Sequence, residues 1–150
     1  MRVFKVYAIK NGTVIDHIPQ GKGLKIIHLL GLDKSCNNIV TLGMGFDSKR
    51  YSKKDIVKIE KRELTAEEVN KIAVIAQTAT LNIIRNYKIV KKHQVAIPEI
   101  LEKIIRCPNP NCVTNHEPGK TKFLVIKKKP IQLHCYFCER TFAIEEITIQ

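Results

Sequence analysis

Two pairs of cysteines carry most of the chemistry this sequence can offer. Cys107 and Cys112 bracket Pro108-Asn109-Pro110-Asn111. Cys135 and Cys138 bracket Tyr136-Phe137, and 22 residues lie between the pairs. Two close pairs on tight turns, joined by a stretch able to fold back, can place four thiolates at tetrahedral corners. That is the arrangement of a structural zinc ion. The alternatives are two disulfides or four buried free thiols. Four thiolates leave no coordination position for water, so one such ion per chain holds structure and performs no reaction. A fifth cysteine, Cys36, stands apart and reads as an ordinary half-buried thiol.

Elsewhere the sequence is poor in catalytic signatures. It has no Gly-rich phosphate loop before a helix, no Gly-x-Ser-x-Gly and no framed pair of carboxylates. Asp16 and His17 are adjacent on an extended run, where alternation sends them to opposite faces. Lys58 and Lys92 lie far apart in sequence, but one sheet can bring their strands close to the strand of Asp16. A carboxylate there can accept from ribose hydroxyls, and the ammonium groups and His17 can meet phosphates. Blandly read, Asp16 closes a turn, His17 is an ordinary strand histidine and Lys91-Lys92-His93 is a solvated strand end.

The elements that must position these groups follow from hydrophobic period and turn residues. Residues 2–10 alternate as a strand, and Asn11-Gly12 turns the chain into a second extended run over Thr13–Ile18. Gly21-Lys22-Gly23 breaks it, and a helix is predicted over residues 24–32. Strands are predicted over 37–44 and 56–60, with a charged loop over 46–54. Thr65 and Glu68 form a capping box with Leu64 and Val69 at the staple positions, which starts a second helix. Strands over 80–84 and 87–90 follow, about a turn at Arg85-Asn86. This order predicts an α+β, ferredoxin-like domain: an antiparallel sheet with both helices on one face. Residues 99–106 read as a linker or short helix. Beyond them, strands over 122–127, 132–134 and 141–149 predict a small all-β zinc domain.

The chain has 150 residues, enough for one domain or two small ones. It carries 26 Lys and Arg against 14 Asp and Glu, a formal net charge of +12. Anionic partners are therefore expected: nucleotides, nucleic acid or an acidic protein face. No run approaches the length of a membrane span, and the first residues read as a strand, not a signal peptide. The odd cysteine count beside a zinc pattern points to a reducing compartment, so a cytoplasmic protein with no membrane partner is expected.

Several segments together resemble the regulatory chains of aspartate carbamoyltransferase, over essentially residues 3–150. They are Ala8-Ile9-Lys10-Asn11-Gly12-Thr13-Val14-Ile15-Asp16-His17-Ile18-Pro19, Lys54-Asp55-Ile56-Val57-Lys58-Ile59-Glu60, Ala79-Thr80-Leu81-Asn82 with Asn86-Tyr87, and the two cysteine pairs. The resemblance implies a non-catalytic allosteric subunit in pyrimidine biosynthesis. Residues 1–98 would bind nucleotide effectors, CTP or ATP with UTP a further candidate, and pair with a second regulatory chain. Residues 99–106 would link them to a zinc domain, 107–150, docking on the catalytic chain. The implied assembly has two catalytic trimers and three regulatory dimers. By position, Asp16 and Lys58 would hold the ribose and base edge, and Lys92 and His17 would face the triphosphate. Val6, Ala8, Ile9, Ile84, Tyr87 and Ile89 would frame the base, with Asn82 nearby. The zinc ligands would be Cys107, Cys112, Cys135 and Cys138, and Asn109, Asn111 and Glu117 would face the catalytic chain. Tyr7 replaces an acidic residue common in enteric members, and the stretch before Val3 is shorter than theirs. A zinc-ribbon nucleic-acid-binding protein is the competing reading. It predicts aromatics interleaved with Lys and Arg, whereas aromatics are only 6% of the chain and Trp is absent, so no nucleic-acid partner is expected.

Overall fold

The computed structural model describes residues 8–34, 37–49, 52–117 and 119–150. The expectations for Val6, Tyr7 and Cys36, and most of the strand over 2–10, lie outside these residues. Ala8, Ile9 and Lys10 are irregular rather than strand. The chain divides into two compact units, Met1–Ala96 and Ile97–Gln150.

The first unit runs β1 (Gly12–Pro19), α1 (Gly23–Leu29), β2 (Val40–Ser48), β3 (Ser52–Glu60), α2 (Ala66–Ile75), β4 (Thr80–Arg85) and β5 (Lys88–Gln94). The sheet order is β2-β3-β1-β4-β5, and every neighbouring pair is antiparallel. The first four strands thus take the ferredoxin-like order, with β5 added at the edge by a hairpin. α1 packs on α2, β2 and β3, so the two helices share one face of the sheet.

Alternation along the strands builds the core on that face. Ile15, Val57 and Ile59 are fully buried there, beneath Ile26 of α1 and Ile72 and Ala73 of α2. Thr65 caps α2 with the predicted capping box: its hydroxyl accepts from the N–H of Glu68, and its N–H donates to the Glu68 carboxylate. The predicted charged loop over 46–54 is instead the end of β2 and the start of β3. Asp47 pairs with Lys53 and Ser48 with Ser52, so charge there decorates an exposed strand end. The β4–β5 turn falls at Asn86 and Tyr87, both with positive φ, one residue later than predicted.

The second unit holds β6 (Ile100–Glu102), β7 (Ile105–Arg106), β8 (Lys122–Lys128), β9 (Ile131–Cys135), β10 (Thr141–Ala143) and β11 (Thr148–Ile149). One sheet has the order β10-β9-β8-β6, and β7 pairs with β11 in a two-stranded ribbon. Residues 99–106 are therefore not a linker or a helix. They supply two short strands whose Leu101, Ile104 and Ile105 are buried with Phe123 and Leu133 in this unit's core. Charged residues interrupt that apolar pattern, which is why its strand character is hidden in the sequence. The predicted strand over 141–149 is broken by a helical turn at Ile144–Glu146.

Candidate functional site

Both cysteine pairs converge. The sulfurs of Cys107 and Cys138 are 3.7 Å apart and those of Cys112 and Cys135 are 3.8 Å apart. All four lie within 4.8 Å of one another. A disulfide needs about 2.0 Å. A tetrahedron of Zn–S bonds of about 2.3 Å has edges of about 3.8 Å. No disulfide joins these four cysteines, and the donor set fits one structural zinc ion.

The first knuckle is held by its own polar groups. Cys112 N–H donates to the Asn109 carbonyl, and the Asn111 N–H donates to the Asn109 side chain. The Asn115 amide donates to the carbonyls of Cys107 and Asn109. Burial pushes the Cys107 and Cys135 thiols up. Burial also opposes ionisation of Cys138, but the Arg140 backbone and the Asn109 amide outweigh it and bring Cys138 down to about 7. A bound metal would supply the charge that ionises the Cys107 and Cys135 thiols against their burial. Asn109, expected to face a partner, is only 7% exposed, and its side chain is used inside the knuckle. Asn111 and Glu117 are exposed.

In the first unit the register brings distant residues together on the face opposite the helices. Lys58 of β3 pairs with Val14 of β1, Val14 with Asn82 of β4, and Asn82 with Lys92 of β5. Directly paired residues share a face, so Lys58, Val14, Asn82 and Lys92 form one transverse row. At about 4.8 Å per strand the row spans about 14 Å. Beside it lies the pair Asp16 and Thr80, and on its other side Gly12, Ile84 and Ile89. Of the expected pocket residues, Asp16, Lys58, Asn82, Ile84, Ile89 and Lys92 are thus brought together. Tyr87 is exposed on the hairpin turn, where its N–H donates to the Lys10 carbonyl. That bond places the turn beside the segment of exposed Ala8 and buried Ile9.

Asp16 and His17 depart from simple alternation. The β1–β3 register shifts between Ile15 and Ile18, and His17 has φ +55°. This bulge carries the His17 ring to Thr80, the cross-strand partner of Asp16, with Nδ1 2.9 Å from the Thr80 hydroxyl. The two side chains therefore do not diverge as predicted. Sequence reasoning also missed Lys54, whose ammonium lies 2.9 Å from the Asp16 carboxylate. Lys54 stands four residues before Lys58 on the same strand face, a spacing that marks it. Burial lowers Lys58 below the ordinary lysine range, and Asp16 pulls it partly back. Asn82 is 7% exposed, and its side-chain oxygen has no hydrogen-bond partner.

Comparison with known proteins agrees with this division. Residues 4–96 match the family described as aspartate carbamoyltransferase regulatory chain, allosteric domain, and residues 99–148 match that chain's metal binding domain. The chain is 57% identical over 148 residues to the aspartate carbamoyltransferase regulatory chain of Pyrococcus horikoshii, covering 98% of this chain and 97% of the relative. It is 51% identical to that of Thermococcus onnurineus, with 98% and 97% covered. It is 48% identical to that of Methanothermobacter thermautotrophicus, with 97% and 94% covered. An allosteric domain joined to a four-thiol metal domain, over nearly the whole length of such relatives, makes this chain a member of the family of aspartate carbamoyltransferase regulatory chains, the non-catalytic subunits of that enzyme.

Proposed function

We propose that the first unit binds a nucleoside triphosphate on the open face of its sheet and that the second unit docks on the catalytic chain. Binding at the first site then biases the activity of the catalytic trimers. The supporting observation is the transverse row of Lys58, Val14, Asn82 and Lys92 with Asp16 beside it. One anionic ligand can meet two ammonium groups, a carboxylate for its sugar hydroxyls and an amide for a base or phosphate edge. Lys92 and His17 face the triphosphate in this reading, Asp16 and Lys58 the ribose and base, and Ile9, Ile84 and Ile89 the base. Lys54 joins the site by holding Asp16. CTP and ATP are the candidate effectors, with UTP a third. The functional assembly has two catalytic trimers and three regulatory dimers and works in the cytoplasm.

Calorimetry on the chain assembled with cognate catalytic trimers tests this. Saturable heat on adding CTP or ATP, lost in a Lys58→Ala, Lys92→Ala double variant, is the expected result. Absence of binding by all three triphosphates removes the sheet face from the reading.

A further inference from the structure

A crevice of about 390 Å³ lies at the first cysteine knuckle. Arg106, Pro108, Pro110, His116 and Thr148 line it, together with Asn115 and Cys107. Arg106 and Thr148 are directly paired across the β7–β11 ribbon, so their side chains stand on one face of it. Their neighbours Ile105 and Ile149 take the other face, and Ile105 is fully buried. The ribbon is thereby fixed with a guanidinium and a hydroxyl turned toward the crevice.

The other polar groups there are already used. The Asn115 amide holds two backbone carbonyls, and His116 Nε2 lies 2.7 Å from the Pro110 carbonyl, its hydrogen-bond acceptor. Among the described residues the Arg106 guanidinium has no ion-pair or hydrogen-bond partner. A planar five-donor fork in a crevice with rigid proline walls suits a carboxylate, which it can grip through two parallel bonds.

We propose that this crevice receives an aspartate or glutamate side chain of the catalytic chain, gripped by Arg106 with Thr148 beside it. The proposal rests on the reading that the metal unit docks on that chain. Two features favour a side chain of the partner over a free anion. Asn111 and Glu117, the exposed residues expected to meet the partner, are the chain neighbours of Pro110 and His116 in the crevice wall. The chain's net charge of +12 also favours an acidic docking face.

The test is a titration of zinc-loaded full-length chain into cognate catalytic trimers, comparing wild type with Arg106→Ala, Arg106→Glu and Lys128→Ala. Arg106→Ala should weaken association about ten- to hundredfold, the loss of one charge-assisted grip. Arg106→Glu should weaken it further, and Lys128→Ala, at an exposed end of β8, should leave it unchanged. Zinc content is measured for each variant. If Arg106→Glu loses metal, Arg106→Gln, which keeps the length without the charge, carries the same comparison. Equal affinity of wild type and Arg106→Ala overturns the crevice assignment alone. An equal loss in Lys128→Ala overturns it too, by showing a general charge effect. A wild-type chain that binds no catalytic trimer overturns the docking reading on which the proposal stands.

Discussion

Asp55 is fully buried, and its carboxylate gathers three backbone donors. One oxygen accepts from the N–H groups of Gly21 and Gly23, at 2.9 and 3.0 Å, and the other from Gly45 at 3.0 Å. It thus ties the start of α1 and the bulge of β2 to β3. Gly23 must be small here, since a Cβ would lie 3.0 Å from that carboxylate and 2.8 Å from Leu42. Asp55→Ala leaves three backbone donors without their acceptor, that of Gly23 buried, and should cost about 3 kcal/mol or more, read as a lower urea midpoint with an unchanged slope. On the opposite face, Lys92→Ala should weaken triphosphates about tenfold or more, since a charged hydrogen bond contributes roughly 1.5–3 kcal/mol. It should leave nucleosides nearly untouched, whereas Asp16→Ala should weaken both, because the ribose is common to them. Equal losses for nucleoside and triphosphate in Lys92→Ala would remove the phosphate role. At this scale the cysteines were legible, because thiol spacing is itself the signal. Lys54 was legible only through its spacing from Lys58, and the His17–Thr80 contact was not, because it depends on a bulge that alternation does not foresee.

Elements were legible where sequence and packing agree. The capping box at Thr65 and Glu68 fixed the start of α2, and Thr65→Ala should cost about 1 kcal/mol. For a unit of this size that lowers the first melting transition by about 4–8 °C; an unmoved midpoint would mean the cap does not hold the helix. Gly12, at the entry to β1, has φ +143°, and a Cβ there would fall 2.1 Å from the Ile59 carbonyl. Gly12→Ala should therefore cost about 3 kcal/mol or more, and a melt within two degrees of wild type would contradict the close β1–β3 approach. The ends of β2 and β3 were hidden because their residues are charged and exposed. β6 and β7 were hidden because two or three residues carry no period. Such strands exist only through partners, β8 and β11, that are distant in sequence. The open-face row was half legible. Strand alternation sets Lys58 on the face opposite Val57, but only the order β3-β1-β4-β5 sets Lys58, Asn82 and Lys92 in line.

At the scale of the whole chain, the two units solve stability differently. Residues 1–96 bury a sheet under two helices, with Ile15, Ile18, Ile26, Ile59 and Ile72 at zero exposure. Residues 97–150 bury far less around Phe123, Leu101 and Leu133, and a domain of that size rarely holds on such a core alone. Ligation free energy is then folding free energy, about 10–16 kcal/mol for structural zinc in small peptides. Removing the metal with a chelator, or replacing Cys107 or Cys135 with Ser, should unfold the second unit and abolish association with catalytic trimers. The first unit should persist and keep its nucleotide binding. Hydrogen exchange separates the outcomes: protection lost from β8 and β9 but kept in β1, β3 and β4 is expected. Simultaneous loss in both units, or a metal-free chain that still assembles, would show that the metal does not hold the second unit as argued. The zinc-loaded chain alone should transfer no carbamoyl group, as a non-catalytic regulatory chain. Added to catalytic trimers, it should change their response to aspartate while the chemistry stays theirs.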